Sequence, residues 1–151
     1  VAQIIHATAV AIGSRGALIR GASGSGKSDL ALRCMALPPA LLTGAAGCAL
    51  VADDQVEIDC AGDVVIARPP DALAGLLEVR GIGVLKVPYT RSSVLRLVVD
   101  LVLPADVPRL PDPPATVSIL GVKLPLLRLA PFEASAPIKL VLALAGLHPQ
   151  V

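Results

Sequence analysis

Aromatic side chains are nearly absent from this 151-residue chain: Phe, Trp and Tyr make up 1% of it, as Tyr89 and Phe132 with no tryptophan. So few rings exclude an aromatic base-stacking surface of the kind that holds single-stranded nucleic acid. A strong charge of either sign is also missing, since thirteen basic and twelve acidic residues leave a net charge of +1. No basic block resembles the electrostatic footprint of a DNA-binding domain, so nucleic acid is not an expected partner. Cysteine is scarce and odd in number. Cys34, Cys48 and Cys60 fit neither a C-x-x-C metal site nor a disulfide framework, and they read as buried free thiols in a reducing compartment, which points to the cytoplasm. Long apolar runs are lacking too. Stretches such as Ala45 to Ala52 and Ile138 to Ala145 fall well short of the roughly 20 residues that a membrane-spanning helix needs. The N-terminus carries no charged-then-apolar signal pattern. The expectation is a soluble cytoplasmic protein with no membrane insertion.

What is present is aliphatic. The chain is 54% hydrophobic, so its core must be built from Ala, Val, Leu and Ile. The length suits one domain spanning residues 1–151, burying roughly two-thirds of the surface of the unfolded chain. Ile4 to Ile12 reads as one strand, Gly13-Ser14-Arg15-Gly16 as a turn, and Ala17 to Arg20 as the return strand of a hairpin. Leu30, Ala31, Cys34 and Met35 recur at helical spacing from Ser28 to Met35, and Pro38-Pro39 ends that helix. Cys48 to Ala52 is a short buried strand that stops at Asp53-Asp54. Gln55 to Cys60 and Asp63 to Ala67 form a hairpin through Ala61-Gly62. Asp71 is expected to cap a short helix running to Leu77. Ser93 to Leu103, Thr116 to Leu120 and Leu124 to Leu129 read as further strands. The five prolines between Pro104 and Pro114 mark a rigid surface connection. Ser135 and Pro137 resemble the N-cap and first turn of a helix reaching about Leu147. An aliphatic core of this kind suits an α/β or β-rich domain, and the strand, glycine loop and helix in series favour an α/β P-loop domain with a mixed β-sheet and flanking helices.

The chemistry is concentrated in Gly21-Ala22-Ser23-Gly24-Ser25-Gly26-Lys27-Ser28, which satisfies the phosphate-binding pattern G-x-x-x-x-G-K-[ST] between a strand and a helix. Glycine is required because the backbone must wrap round phosphate oxygens with its N–H groups turned inward. Lys27 brings a point charge to the β- and γ-phosphates, Ser28 offers a hydroxyl to magnesium, and the helix presents its positive end to the same anion. Asp53-Asp54 ends a strand about 25 residues further on, where one carboxylate can bind magnesium and its neighbour can take a proton; the competing reading is a solvated turn. Glu78-Val79-Arg80-Gly81-Ile82-Gly83 can bring Glu78 to a metal, or can be a salt-bridged surface turn. His6, inside an apolar strand, is more often a satisfied structural histidine than a catalyst.

Four pieces together resemble the catalytic domain of the HPr kinase/phosphorylase family, over nearly the whole chain from His6 to about Leu147. They are a histidine in the strand before the P-loop, GASGSGKS at 21 to 28, LVADDQVEI at 50 to 58 and LEVRGIGVL at 77 to 85. The resemblance implies a P-loop kinase fold related to that of phosphoenolpyruvate carboxykinase, in a short form without the amino-terminal domain of longer members. It implies that Gly21 through Ser28 bind the phosphates of ATP and that Ser28 and Glu78 hold Mg2+. It further implies that Asp53 is the acid/base toward a serine of the phosphocarrier protein HPr, in the phosphotransferase system that governs carbon metabolism. His6, Lys27 and Arg109, the last in Pro108-Arg109-Leu110, complete the implied active set, and a homo-hexamer is the implied assembly. In reverse, the family uses inorganic phosphate to attack phosphoserine and releases pyrophosphate. The chain departs from the family between Val87 and Ser93, which is shorter. It also has Ala130-Pro131-Phe132-Glu133-Ala134-Ser135-Ala136 in place of a basic P-x-x-G-R-N-like loop implicated in both directions, so kinase activity is the expectation carried forward. Two other readings share the P-loop: a small-molecule kinase, and a non-catalytic nucleotide-sensing module.

Overall fold

The apolar segment near the N-terminus is two strands rather than one. In a computed structural model that describes residues 2–38, 46–111 and 113–146, β1 (Gln3–His6) and β2 (Thr8–Ile12) part at Ala7. β1 pairs with β5 (Gln55–Ala61), whereas β2 pairs with β3 (Arg15–Arg20) and β4 (Cys48–Ala52), all antiparallel. The chain from β4 to β5 turns at Asp53-Asp54, directly beside the turn at Ala7. Ala9 faces Ala52 on one side of this double corner and His6 faces Gln55 on the other. Two neighbouring strands therefore change partners at the same place, and the sheet curls there.

The remaining strands are β6 (Val64–Arg68), β7 (Leu76–Val79), β8 (Gly83–Lys86), β9 (Ser93–Leu101), β10 (Thr116–Ile119) and β11 (Val122–Leu129). The main sheet runs β1-β5-β6-β9-β3-β2-β4. β9 is shared. Its start pairs with β6 through Ser93 and Val94, its second half runs parallel to β11 from Val98 to Leu101, and β3 lies parallel along its other edge. Parallel and antiparallel pairs thus coexist, and with α1 (Lys27–Ala36) and α2 (Ala136–Leu144) they form the mixed α/β fold that the sequence predicts. β7 and β8 make a separate two-stranded ribbon.

Successive residues of the central strands enter two different cores, which is why these strands read as unbroken apolar runs. Ala9, Ala11, Leu18 and Val98 face the cluster inside the curl. Val10, Ile12, Ala17, Ile19, Leu97 and Val99 face Leu30, Ala31 and Cys34 of α1 and Leu140 and Leu144 of α2. The sheet is clamped between its own far side and the helix pair.

Several local expectations shift. The residues after Pro70 form one 3-10 turn (Asp71–Leu73) with no side-chain cap, and the chain then enters β7, so the helix expected through Leu77 is absent. Gly75 redirects it: φ is +75°, and a Cβ there would lie 2.8 Å from Cδ1 of Tyr89. We expect Gly75→Ala to lower stability by about 2 kcal/mol, from left-handed backbone strain plus overpacking, read as a fall in the denaturant midpoint. The β5–β6 turn is Gly62-Asp63, one residue later than expected, because Ala61 pairs with Val64. β9 stops at Leu101. The proline-rich connection has one 3-10 turn (Pro104–Asp106) and is otherwise without regular structure among its described residues. Ser135 is the N-cap residue of α2 but makes no capping side-chain bond. Pro39, Ala45 and Leu147, named in the sequence reading, lie outside the described residues. The cysteines also divide: Cys34 is buried, Cys48 half-buried and Cys60 exposed, so the expectation of three buried thiols fails at Cys60. The Cys48 thiol and burial push Cys34 up, and the Cys34 thiol holds Cys48 below its ordinary range against its own burial.

Candidate functional site

The double corner and the P-loop open onto one cleft of about 590 Å3, lined among others by His6, Ser23, Gly24, Lys27, Ser28, Asp54, Glu78 and Arg80. Each comes from a different consequence of the fold. β3 ends at Arg20, whose guanidinium grips Asp100 of β9 through bonds of 2.8 and 2.9 Å and is held above its ordinary range by them, despite partial burial. This two-pronged pair fixes where the loop starts. Gly24 and Gly26 then take φ of +80° and +99°, and α1 begins at Lys27 with Gly26 as its N-cap. Lys27 is buried, and its Nζ donates to the carbonyls of Gly21 (2.7 Å) and Ala22 (3.0 Å). An ammonium has three protons, so one remains for the cleft.

Asp53 and Asp54 are neighbours with opposite environments. Asp53 is buried. Its Oδ1 accepts from Thr8 Oγ1 (2.9 Å) and Ser28 Oγ (2.7 Å), and its Oδ2 accepts from the backbone N–H of Glu78 (3.1 Å). One carboxylate therefore ties together β2, the P-loop helix and the β7 strand. Asp54 has φ of +68° and sits at the centre of a three-residue turn closed by the Gln55 N–H on the Asp53 carbonyl (2.8 Å). That turn swings its carboxylate into the cleft, where Oδ1 lies 2.9 Å from His6 Nε2.

The resemblance implies Ser28 and Glu78 as the metal ligands, and Asp53 lies in bonding contact with Ser28 and with the Glu78 amide. Ser28, Asp53 and Glu78 offer only oxygen, the chemistry of a hard cation. Among the described residues no group of three or more His, Cys, Asp or Glu side chains is close enough to hold a metal alone. Magnesium is typically held by one or two carboxylates together with substrate phosphates, so this sparse set fits it. For the phosphates, the loop offers backbone N–H groups, the N-terminus of α1 and Lys27.

Most residues expected from the sequence are brought together. His6, Ser23, Gly24, Gly26, Lys27, Ser28 and Glu78 line the cleft, while Gly21, Ala22 and Ser25 form the loop behind it. Arg109 is not brought in: it is exposed, and it is not among the residues lining the cleft. Its segment leaves the P-loop end of β9 in a run punctuated by Pro104, Pro108 and Pro111, which cannot fold back as helix or strand. The cleft-lining arginine is Arg80, in the turn between β7 and β8. Glu78 and Arg80 make no ion pair with each other among the described residues, so the salt-bridged turn is excluded. Sequence reasoning missed Thr8, Leu32 and Phe132. Thr8 is signalled only by being the polar residue at the start of an apolar strand.

Residues 1–145 match the family model described as the HPr Serine kinase C-terminal domain. An HPr kinase/phosphorylase from Stenotrophomonas maltophilia (strain K279a) is 37% identical over 140 residues, covering 83% of this chain and 42% of the relative. One from Clostridium acetobutylicum is 42% identical over 93 residues, covering 60% of this chain and 28% of the relative. The chain thus spans about two fifths of the length of the first of these relatives. A solved Hpr(Ser) kinase/phosphatase from Coxiella burnetii superposes with a TM-score of 0.73 at 27% identity, covering 94% of this chain and 93% of that one. With the P-loop, the paired aspartates and the Glu78 ribbon gathered at one cleft, the chain belongs to the HPr Serine kinase C-terminal domain family.

Proposed function

We propose that this domain transfers the γ-phosphoryl group of ATP to a serine of HPr, with Mg2+ as the metal, and that Asp54 rather than Asp53 takes the serine proton. The observation that carries this reading is the division of labour between the two aspartates. Asp53 is engaged by Thr8, Ser28 and the Glu78 amide, whereas Asp54 faces the cleft with His6 as its partner. A proton acceptor must reach the hydroxyl it serves, and only the second carboxylate is free to do so. Ser28, Asp53 and Glu78 would hold Mg2+, which would supply neutralising charge to the phosphates.

In the reaction, the P–O bond to ADP breaks as the bond to serine Oγ forms, and the serine proton passes to Asp54. Phosphoryl transfer asks for position and charge rather than covalent help. Lys27 and the loop N–H groups stabilise the charge on the transferring group. His6 orients the Asp54 carboxylate through the contact of its Nε2 with Oδ1. Arg80 is the second cation at the rim. In the reverse direction, inorganic phosphate attacks phosphoserine, giving pyrophosphate and serine, with protonated Asp54 returning its proton. The resemblance extends the reading to a cytoplasmic homo-hexamer.

Incubation with ATP, Mg2+ and HPr should yield phosphoserine on HPr and ADP, followed by pyrophosphate when inorganic phosphate is added to the product. Phosphorylation of a metabolite in place of HPr would replace this reading by a small-molecule kinase. ATP binding with no transfer to any acceptor would replace it by a nucleotide sensor.

A further inference from the structure

We propose that Phe132 is the base-recognition wall of the nucleotide site, the ring stacking on the purine of the bound nucleotide. This rests on the reading of the cleft as a nucleoside triphosphate site and adds the part of the ligand that the P-loop does not touch.

Phe132 is placed where such a wall is needed. Its ring packs on Gly26: a Cβ at that glycine would lie 3.0 Å from both Cε1 and Cζ, so the ring sits directly against the loop that cradles phosphate. Yet the residue is 73% exposed, and it lines the same cleft as Lys27 and Ser28. Leu32 lines the cleft as well, five residues along α1 from Lys27 and so more than one turn beyond the phosphate end. The cleft therefore combines charged and polar groups, Lys27, Ser28 and Asp54 among them, with the exposed aromatic face of Phe132 and the apolar side chain of Leu32. That combination suits a nucleotide: charged and polar groups for the phosphates, and a flat aromatic face against the P-loop for the base.

The ring is also held in position. Arg33 of α1 donates from Nη2 to the carbonyl of Pro131 and from Nη1 to that of Glu133 (3.4 Å), on either side of Phe132, while its Nε is fixed by Asp29 (2.9 Å). Lys139 of α2 pairs with Glu133 (3.1 Å). An exposed ring on a loop tethered to the P-loop helix is already ordered before a ligand arrives, which lowers the entropy lost on stacking. One ring is too few for a strand of bases but sufficient for one base.

The test compares two ligands that share phosphates and differ in the base. Titration calorimetry with MgATP and with magnesium tripolyphosphate is run on the wild-type chain, Phe132→Ala and Phe132→Tyr. We expect Phe132→Ala to weaken MgATP about tenfold and to leave tripolyphosphate within about twofold, while Phe132→Tyr keeps both. An equal fall for both ligands in Phe132→Ala would mean that the ring only shapes the P-loop, and would overturn the inference. So would unchanged ATP affinity, including the case in which Phe132→Ala impairs only the KM for HPr and the ring is a protein contact. A wild-type chain that binds neither ligand would instead remove the phosphate site itself, and the base wall with it.

Discussion

Asp54→Asn is expected to slow phosphoryl transfer to HPr by about a thousandfold while leaving ATP affinity close to wild type, the range over which a positioned general base acts. The amide keeps the size and shape of the carboxylate, and the turn at residues 53–55 is closed by backbone atoms alone, so the corner should persist. What disappears is the proposed proton acceptor, the carboxylate facing the cleft beside His6. Single-turnover transfer of labelled phosphate gives the rate, and calorimetry gives the affinity. Asp53→Asn is the contrast. It replaces an oxygen that accepts from Thr8 and Ser28 or the one that accepts from the Glu78 amide, so it should disturb magnesium-dependent nucleotide binding as well as transfer. If Asp54→Asn turns over normally and Asp53→Asn alone is dead, the proton passes to the buried aspartate and the assignment is reversed.

Lys27→Ala is expected to lower kcat/KM for HPr phosphorylation by roughly 100- to 1,000-fold, the cost of removing one fixed charge-stabilising donor from a reaction centre. The buried position of Lys27 strengthens its field at the transferring group, because less water screens it. The ammonium also bonds the Gly21 and Ala22 carbonyls, so the variant loses an internal brace of the loop along with the charge. ATP affinity should fall together with the rate, which separates this variant from Asp54→Asn. Normal turnover in Lys27→Ala would rule out the P-loop as the nucleotide site.

The parts of the fold that were legible in the sequence are those specified by local chemistry. The P-loop and its helix follow from glycine spacing and apolar periodicity, and the β5–β6 hairpin from a glycine turn between β-branched runs. The break at Ala7 was not legible, because both faces of β2 are buried and an apolar run gives no sign of where a strand changes partners. The region after Asp71 failed for another reason: an aspartate can cap a helix, but the tertiary contact between Gly75 and Tyr89 sends the chain into the β7 ribbon instead. At the site, the gathering of His6, Lys27, Ser28 and Glu78 about one cleft was legible, whereas the burial of Asp53 and the exposure of Asp54 were not. Whether Asp53 or Asp54 faces the cleft depends on the backbone angle at residue 54, set by the curl of the sheet and not by the dipeptide. Phe132 escaped notice because its contact with Gly26 joins residues more than a hundred positions apart.

Under the role proposed for Asp54, its left-handed backbone places fold stability and catalysis in competition at one residue. At φ of +68° an L-amino acid is strained by on the order of 1 kcal/mol, whereas glycine adopts the same angle freely. Asp54→Gly should therefore yield a tougher protein that has lost its proton acceptor. A screen of variants for heat resistance alone would favour glycine at this position and return a domain that binds nucleotide without using it, whereas a screen that also demands turnover would retain the aspartate.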